Sequence, residues 1–277
     1  MNAKSLLKQK FLLITTLFVS CALCSTLNSC GGDDESDGTS GKSGGSPSDG
    51  NSVIGVPEGL KAVDLGIIVN GKNIKWANMN VGATSESDYG DFFAWGETTG
   101  YSSATEITDG REFSWATYKW CNGTANTLTK YCTDNNYGTV DNKTTLEAAD
   151  DAATANWGGS WRIPTIEEWN ALFATKENTR DYTWTRELRG NHHWGFTVKH
   201  NPTGNYIFLP QAGTRSGKSS NIHNQFSNGC YWSSSLFVSS VYGCRYAYHF
   251  RLYVNTVQEM HGIDRYEGLS VRAVQSE

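Results

Sequence analysis

Between Val53 and Glu277 the apolar residues recur in short, broken runs, and only two stretches carry a helical stripe behind a capping signal. A chain with two short helices must bury its core mainly between strands. The first stretch opens at Thr144-Thr145-Leu146-Glu147, a capping-box spacing in which the Thr hydroxyl takes an orphan amide and the Glu reaches back. Leu146, Ala149 and Ala153 then share a face, and Trp157-Gly158-Gly159 supplies a stop. The second opens at Pro164-Thr165-Ile166-Glu167-Glu168, with Thr165 as N-cap and Glu168 as its capping-box partner. Its buried stripe is Ile166, Trp169, Leu172 and Phe173.

Strands are expected at Ile67 to Val69, Ile74 to Trp76, Phe92 to Trp95, Phe196 to Lys199, Tyr206 to Leu209, Tyr231 to Ser234, Tyr246 to Tyr253 and Leu269 to Val274. Gly, Asn and Ser turns join them, and Val69-Asn70-Gly71-Lys72 reads as a hairpin. Gly213 to Cys230 is polar and aperiodic, a loop long enough to expect function or motion there. The 277 residues include 29 Gly, 10 Trp, 13 Tyr and 11 Phe but only 5 Pro and 3 Met, which excludes a disordered or collagen-like chain. Residues 53–277 show no fixed-period repeat and no second linker, and suffice for one domain.

The first 52 residues read differently. Lys4, Lys8 and Lys10 precede an apolar run from Phe11 to Leu23 that is too short to span a bilayer comfortably, as in a secretory signal peptide covering residues 1–29. Leu27-Asn28-Ser29-Cys30 resembles a bacterial lipobox, which makes Cys30 the acylated first residue of the mature chain. Cys21 and Cys24 sit in poorer versions of that pattern. Residues 31–52 hold seven Gly and six Ser, with five acids against Lys42, and are expected to be a flexible tether. The run Cys30-Gly31-Gly32-Asp33-Asp34-Glu35 resembles the surface-export signal of Bacteroidetes-type lipoproteins. Loss of residues 1–29 would take the net charge from -5 to -8, so no basic footprint directs the chain to nucleic acid. The expected location is the outer membrane, lipid-anchored and facing out.

Several segments in order then resemble one family. They are Trp76-Ala77-Asn78-Met79-Asn80-Val81-Gly82-Ala83, Phe93-Ala94-Trp95-Gly96-Glu97, and Leu146-Glu147-Ala148-Ala149-Asp150-Asp151-Ala152-Ala153 running on to Trp157-Gly158-Gly159-Ser160-Trp161-Arg162-Ile163-Pro164-Thr165. Leu209-Pro210-Gln211-Ala212-Gly213-Thr214-Arg215, Tyr231-Trp232-Ser233-Ser234-Ser235 and Ser270-Val271-Arg272 complete the set. Together they resemble the Fibrobacter succinogenes major paralogous domain, which is similar to C-type lectin-like and formylglycine-generating-enzyme-like folds. The resemblance implies an α+β domain: two helices packed on small antiparallel sheets, long loops, and paired N- and C-terminal strands.

Candidate chemistry is sparse. Cys121, Cys132, Cys230 and Cys244 allow three pairings in an oxidising compartment, and the pairs nearest in sequence would be Cys121–Cys132 and Cys230–Cys244; four packed thiols is the other reading. Zinc-type cysteine spacing is lacking. An enzyme of the formylglycine-generating type would need paired reactive cysteines, and only Arg245 beside Cys244 favours one. His192 and His193 would point to opposite faces of a strand, and His200, His223, His249 and His261 are scattered, so no metal site or cofactor is expected. Asp150 and Asp151 diverge on a helix and read as a solvated face plus one loop-bonding carboxylate. Ser233 to Ser235 lack a nucleophile elbow.

Trp95, Trp161, Trp169 and Trp232 are expected in the core, and core is the default for Trp115, Tyr118, Trp120, Tyr182, Trp184 and Trp194. The expected function is non-catalytic binding to a glycan, a host protein or an envelope component, through Gly213 to Cys230 and Leu236 to Cys244. The candidate ligand residues there are Arg215, Asn221, His223, Asn224, Tyr242 and Arg245. A structural accessory or tip subunit of a surface fibre is the alternative.

Overall fold

The computed structural model describes residues 55–254 and 257–277, the side chains of 257–260 excepted. Cys30, the signal peptide and the tether lie outside the described residues. Residues 48–277 cluster as one compact unit.

β1 (Ala62–Val69) and β2 (Lys72–Ala77) form the expected hairpin, with Asn70 and Gly71 both at positive φ as a two-residue turn requires. The chain continues through β3 (Asp91–Phe93), β4 (Tyr101–Ser102), a long irregular stretch, α1 (Ala152–Trp157) and α2 (Ile166–Ala174). A meander of β5 (Tyr182–Arg189), β6 (His193–His200) and β7 (Tyr206–Pro210) follows. Then come β8 (Asn228–Ser239), β9 (Gly243–Tyr253), β10 (Val257–Asp264), β11 (Leu269–Ser270) and β12 (Val274–Ser276). These make two three-stranded sheets, β1-β2-β12 and β5-β6-β7, and a six-stranded one ordered β10-β9-β8-β11-β3-β4. Every pairing is antiparallel except β11 with β8. The fold is thus α+β with little helix, and the last strand returns to pair with β2 near the beginning.

α2 forms as expected: the Thr165 hydroxyl accepts from the Glu168 amide, and Glu168 accepts from the Thr165 amide at 2.8 Å. Its Trp169 is fully buried, stacked on Phe250 at 4.6 Å, tilted against Trp76, and donating to the Trp232 carbonyl. A second cluster surrounds Trp95, Trp232, Phe92, Phe93 and Val271. The four tryptophans expected inside are inside.

The first helix departs from its local signal. Thr145 bridges to Ser235 and the Leu146 amide donates to the Ser234 carbonyl, so residues 144–146 run extended along β8. Strand pairing there competes with the capping box and wins. Asp151 caps α1 instead, accepting from the Ala153 and Thr154 amides, and its other oxygen accepts from the Ile163 amide at 2.8 Å. Asp150 accepts from the Tyr131 hydroxyl at 2.6 Å and pairs with Lys130. Both carboxylates are buried, which corrects the solvated-face reading.

Leu236 to Cys244 is corrected too: it is the end of β8, a tight turn and the start of β9. His192 lies in the β5–β6 turn at positive φ rather than on a strand beside His193. β5 and β10 were not expected, because alternating Arg and Glu in β5 and the polar start of β10 conceal their period.

Three fully buried arginines organise the irregular stretches. Arg265 donates to the carbonyls of Lys130, Tyr131 and Cys244 and to the Tyr118 hydroxyl, with its guanidinium over Trp95. Arg272 donates to the Ala77 and Phe208 carbonyls and to Asn80, and burial pulls its pKa down to about 10. Arg215 donates to the carbonyls of Ser102, Thr105 and Ser219. Each ties main-chain oxygens of separate segments to one charged donor group.

Candidate functional site at the β8–β9 hairpin

β9 places Tyr246 and Tyr248 two residues apart, so both side chains leave the same face of the sheet. Phe237 pairs with Tyr246 across the ladder, and its ring lies over Gly262 of β10, where a Cβ would sit only 2.8 Å away. Phe237 therefore crosses β9 between the two tyrosines, 4.9 Å from Tyr248 and 6.3 Å from Tyr246. Tyr242, from the turn, stacks on Tyr246 at 4.6 Å with ring planes within 12°. The four rings make a continuous half-exposed row, and Val238 and Val241 are exposed near the tip of the hairpin.

A polar cleft of about 510 Å³ lies beside the tip. Thr133, Asp134 and Asn135 line one wall, and Ser239, Ser240 and Gly243 the other. Two features hold the walls together. Cys132 and Cys244 form a disulfide with Cα atoms 5.3 Å apart. Gly243, at positive φ, lets the Tyr137 ring press against the hairpin where a Cβ would collide. Arg245 lies over Tyr137 and donates to the Tyr242 carbonyl at 3.2 Å. Burial raises the Asp264 carboxyl opposite Tyr246, with Arg245 opposing that shift.

The bridge corrects the pairing by sequence neighbours: Cys132 joins Cys244, while Cys121 and Cys230 are free. Buried Arg265 donates to the Cys244 carbonyl and to Tyr131 beside Cys132, which brings the two segments together. Burial pushes the Cys230 thiol up to about 12 and raises the Cys121 thiol as well.

Of the candidate ligand residues, Tyr242 and Arg245 meet at this site. Asn221, His223 and Asn224 are exposed on the other loop, which joins the opposite end of β8, roughly 35 Å away at about 3.3 Å per residue. Arg215 is not a ligand residue, since it is fully buried and committed to carbonyls. Phe237, Tyr246 and Tyr248 were missed; the alternation of Tyr246 and Tyr248 was the available signal. Among the default-core aromatics, Tyr118 and Tyr182 are buried, while Trp115, Trp120, Trp184 and Trp194 are half-buried. No group of three His, Cys, Asp or Glu side chains able to hold a metal occurs among the described residues. Compared with protein-family models, with curated proteins and with solved structures, the chain gives no match.

Proposed function

We propose that this chain is a lipid-anchored outer-membrane surface protein of the major paralogous domain type, with a lectin-like, non-catalytic domain that binds glycan. The row of Phe237, Tyr242, Tyr246 and Tyr248 carries the reading. Flat rings with both an apolar face and a polar edge suit a sugar, which offers C–H faces and hydroxyl edges. The adjoining cleft adds Asp134, Asn135 and serine groups to meet those hydroxyls. Burial holds the Cys230 thiol protonated and the disulfide occupies Cys132 and Cys244, which counts against paired-thiol chemistry. The fibre-subunit alternative calls for a regular open edge. β10 is outermost, but its register shifts between Gln258 and His261, an irregularity that discourages edge pairing.

The test is a glycan array probed with residues 48–277. Tyr246→Ala should abolish the signal while leaving the thermal midpoint nearly unchanged. Absence of any glycan signal, or retention of full binding by Tyr246→Ala, would remove the reading. Cys30→Ala should release the chain from the membrane fraction, and protease shaving of intact cells should remove the domain.

A further inference from the structure

At the opposite edge of the six-stranded sheet from the hairpin, β3, β4 and the Gly213 to Cys230 loop enclose a second polar cleft of about 340 Å³. Its size is at the low end for small-molecule sites. The walls include Asp88, Tyr89, Asp91, His193 and Gln225. We propose that this cleft binds a protonated primary amine flanked by hydroxyl groups, the chemistry of an amino sugar.

The argument rests on an excess of acceptors and one buried group without a partner. Asp91 sits on β3 beside Ser102 of β4, and its carboxylate makes no hydrogen bond or ion pair among the described residues. The Arg215 guanidinium is close enough to act on Asp91 electrostatically, but its bonds go to carbonyls. Asp88 accepts from the Thr84 amide and, at 2.8 Å, from the Thr84 hydroxyl, with the Ser85 hydroxyl beside it, and adds negative charge to the wall. The Nδ1 of His193 lies 2.8 Å from the Ser87 carbonyl, and a carbonyl only accepts, so Nδ1 carries the proton. In the neutral ring Nε2 is then an acceptor. Gln225 adds an amide.

Tyr89 is the second and independent sign. Its ring stacks on His193 at 4.0 Å, the residue is only 6% exposed, and its hydroxyl has no hydrogen-bond partner. The Gln225 side chain is the polar group beside that hydroxyl. Buried hydroxyls without a partner are uncommon and costly, and the Tyr89 residue lines the cleft, so a polar occupant that reached this enclosed hydroxyl would complete it. An ammonium group brings three donors and a positive charge to a site of carboxylates, an imidazole acceptor and an amide. Burial raises the Asp91 carboxyl to about 6, with the Arg215 guanidinium opposing the shift without bonding the carboxylate.

The proposal stands apart from the hairpin reading, since no side chain is shared. The test is calorimetric titration of residues 48–277 with glucosamine, glucose and N-acetylglucosamine. Glucosamine should bind saturably, and the two sugars without a free amine at least tenfold more weakly. Asp91→Asn should weaken glucosamine at least tenfold, and Tyr89→Phe several-fold. Gln225→Ala, on the loop, should weaken it too and serves if Asp91→Asn does not fold. Equal binding of glucose and glucosamine, no saturable binding of glucosamine, or full binding by folded Asp91→Asn and Gln225→Ala would each overturn the proposal.

Discussion

The two ends of β8 were expected to behave alike, and they do not. At the Asn228 end, Gly213 to Cys230 is irregular but tightly fastened. Thr214 bridges to His223, Arg215 bridges to Gly268, and the Arg215 side chain gathers two carbonyls from elsewhere and that of Ser219 within the stretch. At the Ser239 end, the backbone is a paired hairpin with a register shift between Phe237 and Ser239, and the side chains rather than the main chain are left on display. Irregular backbone therefore need not mean a free surface, and paired strand need not mean a closed one. A long polar stretch has to satisfy its own amides and carbonyls, and a buried guanidinium is one means of doing so.

The comparison breaks most sharply at Arg215. Arg215→Ala would strand several carbonyls, each having accepted a hydrogen bond from a charged donor, and should lower unfolding stability by at least about 4 kcal/mol. Denaturant titration checks this, and a loss under about 1 kcal/mol would show that the loop is not held there. The Tyr246→Ala change at the other end should cost far less, since that ring is half-exposed.

Replacing Cys132 and Cys244 by Ser comes next. The bridge closes a separation of 112 residues and fastens the wall of the hairpin cleft, so its loss should cost about 3 kcal/mol. Ligand affinity at the hairpin should fall with it, while glucosamine binding at the far edge persists in the folded fraction. Loss of both together would mean that the two ends are mechanically one.

The smallest effect is expected in the turn that joins the regions. Glu267 follows Asp264, which pairs with Tyr246, and precedes Gly268, which pairs with Arg215. Burial, and then the Asp264 carboxylate, push the Glu267 carboxyl up to about 7. The folded state therefore keeps a proton that the unfolded chain releases near its ordinary value of 4.5. Stability should fall as pH rises from about 4.5 to about 7 and level off above that. Glu267→Gln should raise the melting temperature by a few degrees at pH 8 and hardly at all at pH 4. An equal rise at both would place the cause elsewhere.

Much of the scaffold was legible in the sequence. The α2 capping box works because Thr165, Glu168 and the apolar stripe all favour one outcome, and Asn70-Gly71 specifies its own turn. At Thr144 a good local signal met a strand edge that offered better partners, and nothing in residues 144–147 reports where β8 will lie. The ligand residues were read by type, so Arg215 looked like a surface group. Its burial follows from carbonyls at Ser102 and Thr105, more than a hundred residues away. The second cleft was hidden for the same reason: Tyr89, Asp91, His193 and Gln225 come from three distant segments, and no spacing links them.

The guanidinium clamps also bear on how freely these sequences can drift. Arg215, Arg265 and Arg272 reach mainly for main-chain oxygens, and a main-chain oxygen is the same whichever side chain its residue carries. Ser102, Thr105, Ser219 and Lys130 can be exchanged for other residues without changing the atom that is held. A scaffold fastened in this way keeps its loops in place while their surfaces are rewritten, so one frame can present many different faces.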